Sequence, residues 1–205
     1  MAEPLIALTF DDGPNTVTTV QILDKLEKHG IKATFFVVGE NVNDDTREVM
    51  LRARRMGCEI NNHSMTHPDL ASLDEESIKK EVQGTSEKIC QTIGETPVFV
   101  RPPYFSVSPL VLRTISQPLI AGLGVDDWIE EVSAEERTQK VLSQAADGAI
   151  ILLHDTLGNV QTVEALDGII TGLKSRGFGF ATVSELFKAH GIQPQPHRLY
   201  VRVTD

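Results

Sequence analysis

Residues 9–14 read Thr9-Phe10-Asp11-Asp12-Gly13-Pro14 and follow an apolar run, Leu5-Ile6-Ala7-Leu8. An apolar run that ends in a turn predicts a buried strand, and the two aspartates then lie at the C-terminal end of that strand. Enzymes built on parallel sheets place their chemistry at this end. Two adjacent carboxylates require a cation or a shared proton. An ordinary turn is the alternative, because Asp, Gly and Pro are all turn residues.

Apolar and amphipathic segments alternate about seven times along the chain, and polar clusters fall where the strands end. This pattern calls for parallel strands joined by right-handed crossovers. The predicted fold class is therefore α/β. We expect a distorted or incomplete (β/α) barrel with about seven parallel strands and the active site at their C-terminal ends, since a closed eight-fold barrel needs more residues. An open doubly wound sheet is the alternative, although no phosphate-binding glycine fingerprint follows the first strand.

The same reading gives the approximate bounds of each element. Further strands are predicted at 33–38, 58–61, 98–100, 119–123, 149–153 and 180–182. Helices are predicted at 17–29, 46–56, 73–93, 108–116, 134–145, 163–176 and 183–190.

Length and charge narrow the possible partners. The 205 residues predict one domain over 1–205 with an irregular tail at 191–205, and we expect a monomer. A net charge of -10 and a pI near 5.0 argue against nucleic acid or a membrane as partner. Residues 1–4 do not form a signal peptide, so the protein is cytoplasmic or is secreted with a leader that this sequence lacks. Cys58 and Cys90 are expected to be buried free thiols rather than a bridge.

His63 and His67 are candidate metal ligands. They are four residues apart, and on a helical turn this spacing puts both imidazoles on one face. Together with one aspartate they supply three protein ligands, the number in a catalytic zinc site that keeps its next position open for water. The aspartate pair in the same chain favours a metal site. A pair of loop histidines without a metal is the alternative.

Five short motifs occur in order along the chain. They are Thr9–Pro14, His63–His67, Arg101–Tyr104, Asp127–Trp128 and Leu152–His154. Together they resemble the motifs of the polysaccharide deacetylases, carbohydrate esterase family 4 with the nodulation-type deacetylase domain. The resemblance covers nearly the whole chain and implies a distorted (β/α) barrel. It also implies a hydrolase that removes acetyl groups, from nitrogen or oxygen, on chitin, chitooligosaccharides, peptidoglycan or xylan.

The resemblance implies roles for the residues of the first three motifs. Asp12, His63 and His67 would hold one divalent metal ion, usually zinc or cobalt, with nickel and manganese as further candidates. Asp11 would be the general base, and Arg101 would pair with it and orient it. Asp11 could alternatively be a second metal ligand or a helix cap, and Arg101 a member of a surface ion pair.

The resemblance also implies a general acid. His154 would protonate the leaving group, and Asp127 would hold this histidine and keep it protonated. Asp126 is a rival for the role of Asp127. A core histidine bonded to a backbone carbonyl is the alternative for His154.

Three further residues would shape the substrate pocket. The backbone N–H of Tyr104 would help to bind the oxyanion, and Trp128 and Leu152 would line the pocket for the acetyl methyl group. Tyr104 could instead be only a wall of the groove. Trp128 and Leu152 could instead belong to the core.

The fourth motif bears on the substrate. Its loop, 122–128, is shorter than the commonest form in the family and resembles that of bacterial acetylxylan esterases. We therefore expect a secreted enzyme that removes O-acetyl groups from xylan, with an acetylated polysaccharide or oligosaccharide as substrate. N-deacetylation of chitooligosaccharide or peptidoglycan is the alternative within the family. An inactive carbohydrate-binding relative and a metal-dependent amidase for a small metabolite are the alternatives from other classes.

Overall fold

The computed structural model describes residues 3–205 and has the α/β architecture that the sequence predicts. The strands in this part of the chain are β1 (Leu5–Asp11), β2 (Thr34–Val37), β3 (Glu59–Asn62), β4 (Leu119–Ile120), β5 (Leu123–Gly124), β6 (Ala149–His154), β7 (Gly179–Phe180) and β8 (Leu199–Tyr200). The α-helices are α1 (Thr18–His29), α2 (Arg47–Arg55), α3 (Glu75–Ile93), α4 (Pro109–Thr114), α5 (Ala134–Gln144), α6 (Val160–Ser175) and α7 (Val183–Ala189). Within the described residues, no helix combines the length and the apolar character needed to cross a membrane.

Strand β1 is the centre of the sheet. It pairs in parallel with β6 along one edge, and along the other edge with β7 at its start and β2 at its end. The strand order is β3-β2-β1-β6-β5, and each of these ladders is parallel. All residues of β1 from Ile6 onward are buried, as expected of a central strand in a parallel sheet.

The remaining strands continue the sheet into a distorted barrel. Isolated parallel bridges join Asn62 to Val100 and Val100 to Leu119, so the pairing passes from β3 to β4. Only Ala121 and Gly122 separate β4 from β5, and β5 pairs with β6. The barrel therefore closes through the bent segment of chain between β4 and β5, and not through hydrogen bonds between every pair of neighbouring strands.

Two strand predictions were wrong in detail. The predicted strand 119–123 is divided into β4 and β5 because Gly122 has a φ of 94°, which interrupts an extended strand. The predicted strand 98–100 contributes only Val100, through the two isolated bridges.

The C-terminal tail and one cysteine also differ from expectation. The tail at 191–205 contains β8, which pairs in parallel with β4 and places Tyr200 and Val203 in the core, so the prediction of an irregular tail was wrong there. Both cysteines are free thiols. Cys58 is buried as predicted, but Cys90 is exposed because it lies on the solvent side of α3.

Alternation along the strands separates the helix-covered face from the barrel interior. Residues 6, 8 and 10 of β1 pack in a large cluster with side chains of α1, α2 and α6. Ala7 and Ile150 belong to a second, interior cluster. Asp11 lies on the same face of β1 as Ala7, and His154 lies on the same face of β6 as Ile150. The interior face therefore ends in Asp11 and His154, which are partners in the β1–β6 register.

Candidate active site

Three potential metal ligands lie together at the C-terminal ends of β1 and β3. Asp12 Oδ1 is 3.5 Å from His63 Nε2 and 3.4 Å from His67 Nε2, and one donor atom of each residue lies within 4.8 Å of the others. Asp12 Oδ1 is buried and has no hydrogen-bond partner, which is costly for a carboxylate oxygen. Ligand atoms about 2.1 Å from a tetrahedral ion lie roughly 3.4 Å apart. The donor set and its spacing therefore fit a divalent cation.

Hydrogen bonds determine which atom of His63 and of Asp12 is free to bind the cation. The Nδ1–H of buried His63 donates to Arg101 O at 2.7 Å, since a carbonyl only accepts, and this leaves the lone pair on Nε2. Burial lowers the pKa of His63, so the imidazole is neutral at neutral pH. Thr156 Oγ1 donates to Asp12 Oδ2 at 2.9 Å, which leaves Oδ1 for the two histidines.

The segment 63–67 is a loop and not the helical turn on which the shared face was predicted. His67 has a φ of 58°, which no helix accommodates. The loop is tied to α3, because Glu81 Oε2 accepts from the backbone N–H groups of Met65 and Thr66 at 2.8 Å. The two imidazoles nevertheless meet, with ring centroids 4.8 Å apart.

Asp11 and Arg101 form a buried pair beside the three ligands. Arg101 Nη1 donates to Asp11 Oδ1 at 2.5 Å, and Asp11 Oδ2 is 3.6 Å from His63 Nε2. Arg101 is fully buried, and its guanidinium carbon lies 4.0 Å from the centre of the Phe36 ring. Burial raises the pKa of Asp11, although the charge of Arg101 acts in the opposite direction. Arg101 is therefore a buried counterion, and the surface ion pair is excluded.

His154, at the end of β6, forms a second ion pair with Asp127, which follows β5. The Nδ1–H of His154 donates to Asp127 Oδ1 at 2.7 Å, and its backbone N–H donates to Asp127 Oδ2 at 2.7 Å. Burial alone would lower the pKa of His154, but the hydrogen bond and charge of Asp127 raise it to about 9. Asp126 pairs instead with Lys140 at 2.9 Å, so Asp127 is the partner of His154.

These groups line one cleft of about 530 Å³. Leu152 is buried in its wall, whereas Trp128 is 57% exposed and its ring centroid lies 5.7 Å from that of His154. Tyr104 is 70% exposed, and its hydroxyl is 3.2 Å from His67 Nδ1. Trp128 is therefore not a core residue. A larger cavity of about 660 Å³ near the start of β1 contains none of the motif residues.

Sequence reasoning assigned no role to Asp155, Thr156 or Glu81. Asp155 is buried and accepts from Gly13 N–H at 2.9 Å and from Thr19 Oγ1 at 2.5 Å, and burial raises its pKa to about 7. A Cβ atom on Gly13 would lie 2.0 Å from Asp155 Oδ2, so only glycine fits this turn. The available signal was the run of polar residues directly after β6, at the edge of the sheet where the other motifs lie.

Comparison with known proteins gives the family. The family described as Polysaccharide deacetylase matches residues 1–118. The chain belongs to the polysaccharide deacetylase family. The assignment made from the five motifs is thereby confirmed, and with it the enzyme class, a carbohydrate deacetylase or esterase. The family is metal-dependent, in agreement with the grouping of Asp12, His63 and His67.

Solved structures confirm the fold of this polysaccharide deacetylase. The Xyl-CE4 domain of a multidomain xylanase from the hindgut metagenome of Trinervitermes trinervoides is 45% identical, with a TM-score of 0.97 over 99% of each chain. A family 4 acetyl xylan esterase from Clostridium thermocellum, in complex with a cobalt ion, is 43% identical, with a TM-score of 0.95 over 97% of this chain and 98% of that chain.

Curated relatives of the polysaccharide deacetylase act on several kinds of glycan. A bifunctional xylanase/deacetylase of Pseudobutyrivibrio xylanivorans is 48% identical over 94% of this chain and 32% of its own length, so the chain spans about a third of that protein. A peptidoglycan-N-acetylglucosamine deacetylase of Bacillus cereus is 39% identical over 89% of this chain and 68% of its own length. A chitooligosaccharide deacetylase of Rhizobium leguminosarum is 38% identical over 88% of this chain and 90% of its own length. Family membership therefore fixes the class of reaction but not the glycan.

Proposed function

We propose that this polysaccharide deacetylase is an acetylxylan esterase, which hydrolyses O-acetyl groups on xylan. One observation carries the chemistry: the unpartnered Asp12 Oδ1 faces two imidazole nitrogens in a cleft that also holds Asp11 and His154. The choice of xylan is supported by similarity, since both solved structures described above and the relative with 48% identity bear xylan or xylanase in their names.

Asp12, His63 and His67 would hold one divalent ion. Two imidazole nitrogens and one carboxylate oxygen suit zinc or cobalt, with nickel and manganese as alternatives. When bound, such an ion acts as a Lewis acid that polarises the acetyl carbonyl and makes water more acidic.

Asp11 would be the general base that accepts the proton of the attacking water. Arg101 holds its Oδ1 at 2.5 Å, so Oδ2 is the oxygen left for this task. The guanidinium is planar and fully buried, and it therefore fixes the orientation of the carboxylate rather than merely neutralising it.

His154 would be the general acid that protonates the departing sugar oxygen. Its Nδ1–H is bound to Asp127, so Nε2 is the nitrogen available to the cleft. With a pKa raised to about 9, chiefly by Asp127 against the effect of burial, the imidazole is protonated at neutral pH and carries the proton that the leaving group needs.

The pocket for the acetyl group would be formed by Tyr104, Trp128 and Leu152. The two residues before Tyr104 are prolines without N–H groups, so the first backbone donor of this loop after Arg101 is that of Tyr104, which would donate to the oxyanion. A Cβ atom on Gly124 would lie 3.6 Å from the Trp128 ring and 3.7 Å from Leu152, so both side chains border the same narrow wall. This wall suits a methyl group.

N-deacetylation of chitooligosaccharide or peptidoglycan is the second candidate. It is supported by the similarity to the Bacillus cereus and Rhizobium leguminosarum enzymes. The high pKa of His154 also suits an amine leaving group, which departs only after protonation.

The test compares acetate release from acetylated xylan and from chitopentaose, before and after chelation and with zinc or cobalt restored. We expect metal-dependent release with the higher kcat/KM on xylan. A preference for chitopentaose would replace O-deacetylation by N-deacetylation, and glycan binding without acetate release would support an inactive relative. Asp12→Asn should lose the metal, whereas Asp45→Asn, at an exposed aspartate outside the cleft, is the matched control.

The proposed substrate also bears on location. Xylan is an external polymer, so we infer that the domain acts outside the cell. We further propose that residues 1–205 form one catalytic domain and that it acts as a monomer. Acetate release from xylan confined to the cytoplasmic fraction of producing cells would contradict the location. Light scattering of the purified chain tests the monomer.

A further inference from the structure

Arg137 is a buried arginine outside the five motifs. It lies on α5 and its side chain is almost completely shielded from solvent. Its four hydrogen bonds within the described residues end on neutral acceptors: two backbone carbonyls, one amide oxygen and one hydroxyl. A buried guanidinium that meets no carboxylate directly is energetically expensive. Its position therefore calls for a reason other than an ordinary ion pair.

Two of these bonds hold the loop between β5 and α5. Arg137 Nε donates to Val132 O at 2.8 Å, and Nη2 donates to Ile129 O at 2.9 Å. The loop carries Asp127 and Trp128, and the Trp128 side chain projects into the cleft although 57% of it is exposed. The two bonds fix the backbone directly after Trp128, and so limit where its ring can lie.

The other two bonds lead to the acid pair. Arg137 Nη1 donates to Thr162 Oγ1 at 2.9 Å and to Asn159 Oδ1 at 2.5 Å. Thr162 Oγ1 in turn donates to Asp127 Oδ2 at 2.8 Å, and Asn159 Nδ2 donates to His154 O at 3.1 Å. A continuous chain of hydrogen bonds therefore joins Arg137 to Asp127, and through it to His154.

We propose that Arg137 is a positioning residue of the active site, which holds the loop 127–132 and balances the buried charge of Asp127 through Thr162. The proposal rests on the role of His154 as general acid in the proposed function. It gives a reason for a buried cation whose bonds end on the loop or on the residues that hold the acid pair.

The charges around His154 give the sign of the effect. The charged groups that act on it are Asp127, Asp11 and Asp12, and Asp11 is already paired with Arg101. Arg137 is the cation on the side of Asp127. A nearby cation makes a carboxylate hold a shared proton less strongly. Removing this charge should therefore make His154 retain its proton to higher pH.

Three variants separate the two parts of the role. Arg137→Met removes the charge and the fork of donors at similar volume, whereas Arg137→Lys keeps the charge but cannot reach all four acceptors. Thr162→Val keeps Arg137 and removes only the hydroxyl that joins it to Asp127. Lys140→Met is the matched control, because Lys140 lies on the same helix and pairs with Asp126.

The zinc-loaded proteins would be compared in kcat and KM across pH, with 4-nitrophenyl acetate and acetylated xylooligosaccharide. Nuclear magnetic resonance would follow the titration of the His154 ring, with zinc content and melting temperature measured alongside. We expect KM for the oligosaccharide to rise about tenfold in both Arg137 variants, because the loop is loosened. In Arg137→Met, the alkaline limb of the kcat profile and the titration midpoint of His154 should both move to higher pH, by about one pH unit. They should also move to higher pH in Thr162→Val. Both should stay unchanged in Arg137→Lys and Lys140→Met.

A lower melting temperature with unchanged KM and an unchanged alkaline limb would overturn the proposal, because it would reduce Arg137 to a structural residue. If both Arg137 variants fail to fold, Thr162→Val becomes the deciding test. An alkaline limb of kcat that stays at the native pH in Thr162→Val would reject the link to Asp127. Near-normal rates in His154→Ala would instead reject the general acid, and with it the proposed function. If His154→Ala loses activity but the Arg137 and Thr162 variants keep the native KM and alkaline limb, only the role of Arg137 is rejected and the proposed function stands.

Discussion

Replacing Asp127 with asparagine tests the acid half of the site, and the structure sets the size of the effect. Burial would lower the pKa of His154, but Asp127 is the main cause of its rise from 6.5 to about 9. This rise corresponds to ~3 kcal/mol in favour of the protonated imidazole. Asparagine keeps the shape of the side chain but removes its charge. Burial should then bring the pKa of His154 well below 9, although the charges of Asp11 and Asp12 still act in the opposite direction.

The sign of the stability change follows from the direction of the shift. Because the pKa of His154 is higher in the folded protein than in the unfolded chain, its stabilisation is complete below about pH 6.5 and is lost as the pH rises through about 9. Between these limits the native protein should lose up to ~3 kcal/mol of free energy of unfolding from this group. Asp127→Asn should show a smaller loss. The difference between the two proteins in free energy of unfolding, taken at each pH, removes the contributions of other groups.

The assay measures kcat for acetate release across pH, beside urea unfolding at both ends of the range. The native rate should fall only above about pH 9, whereas the Asp127→Asn rate should fall at a clearly lower pH, with metal content unchanged. Asp126→Asn is the matched control, because Asp126 pairs with Lys140 and not with His154. An alkaline limb that stays near pH 9 in Asp127→Asn would refute the reasoning.

Four further substitutions test the remaining assignments. Asp11→Asn should abolish turnover and retain metal, since Asp11 is assigned as the base; metal loss would show that the two aspartates are assigned wrongly. His154→Ala should spare metal content and strongly reduce acetate release, and near-normal rates at neutral pH would remove it from the mechanism. Thr156→Val should weaken metal binding at least about tenfold in a chelator competition, because Asp12 Oδ2 loses its donor. Glu81→Ala should weaken metal binding in the same assay, because it releases the loop that carries His67. Unaltered metal affinity would contradict this role of Glu81.

The framework of the barrel could be predicted because its central strands are continuous apolar runs. The predicted strand 149–153 is β6 (Ala149–His154), and the run at residues 5–8 is the first part of β1. Once both strands are placed in parallel, the alternation of side chains puts Asp11 and His154 on the same face. The reactive end of the sheet therefore follows from two hydrophobic segments and their parity.

The short strands could not be predicted, because their extended form depends on partners far away in the sequence. Leu199 and Tyr200 form a strand only by pairing with Leu119 and Ile120, and two residues carry no periodic signal of their own. The bend at Gly122 likewise follows from closing the barrel. A Cβ atom there would lie 3.1 Å from Ile150 O, so the close approach of β6 favours a glycine.

The orientation of the candidate ligands also depends on contacts between distant segments. The motifs supply atoms of the right chemistry, but Asp12 has two equivalent oxygens, and Thr156 distinguishes them by donating to Oδ2. The turn that carries Asp12 is also held by a distant residue, because the Gly13 N–H donates to Asp155, 142 residues away in the sequence. A relative that keeps all five motifs but lacks a hydroxyl at the position of Thr156 should therefore bind its ion less tightly, because its aspartate is free to rotate. Residue identity within the motifs determines which reaction is possible, and these contacts between segments determine how well the ligands are held for it.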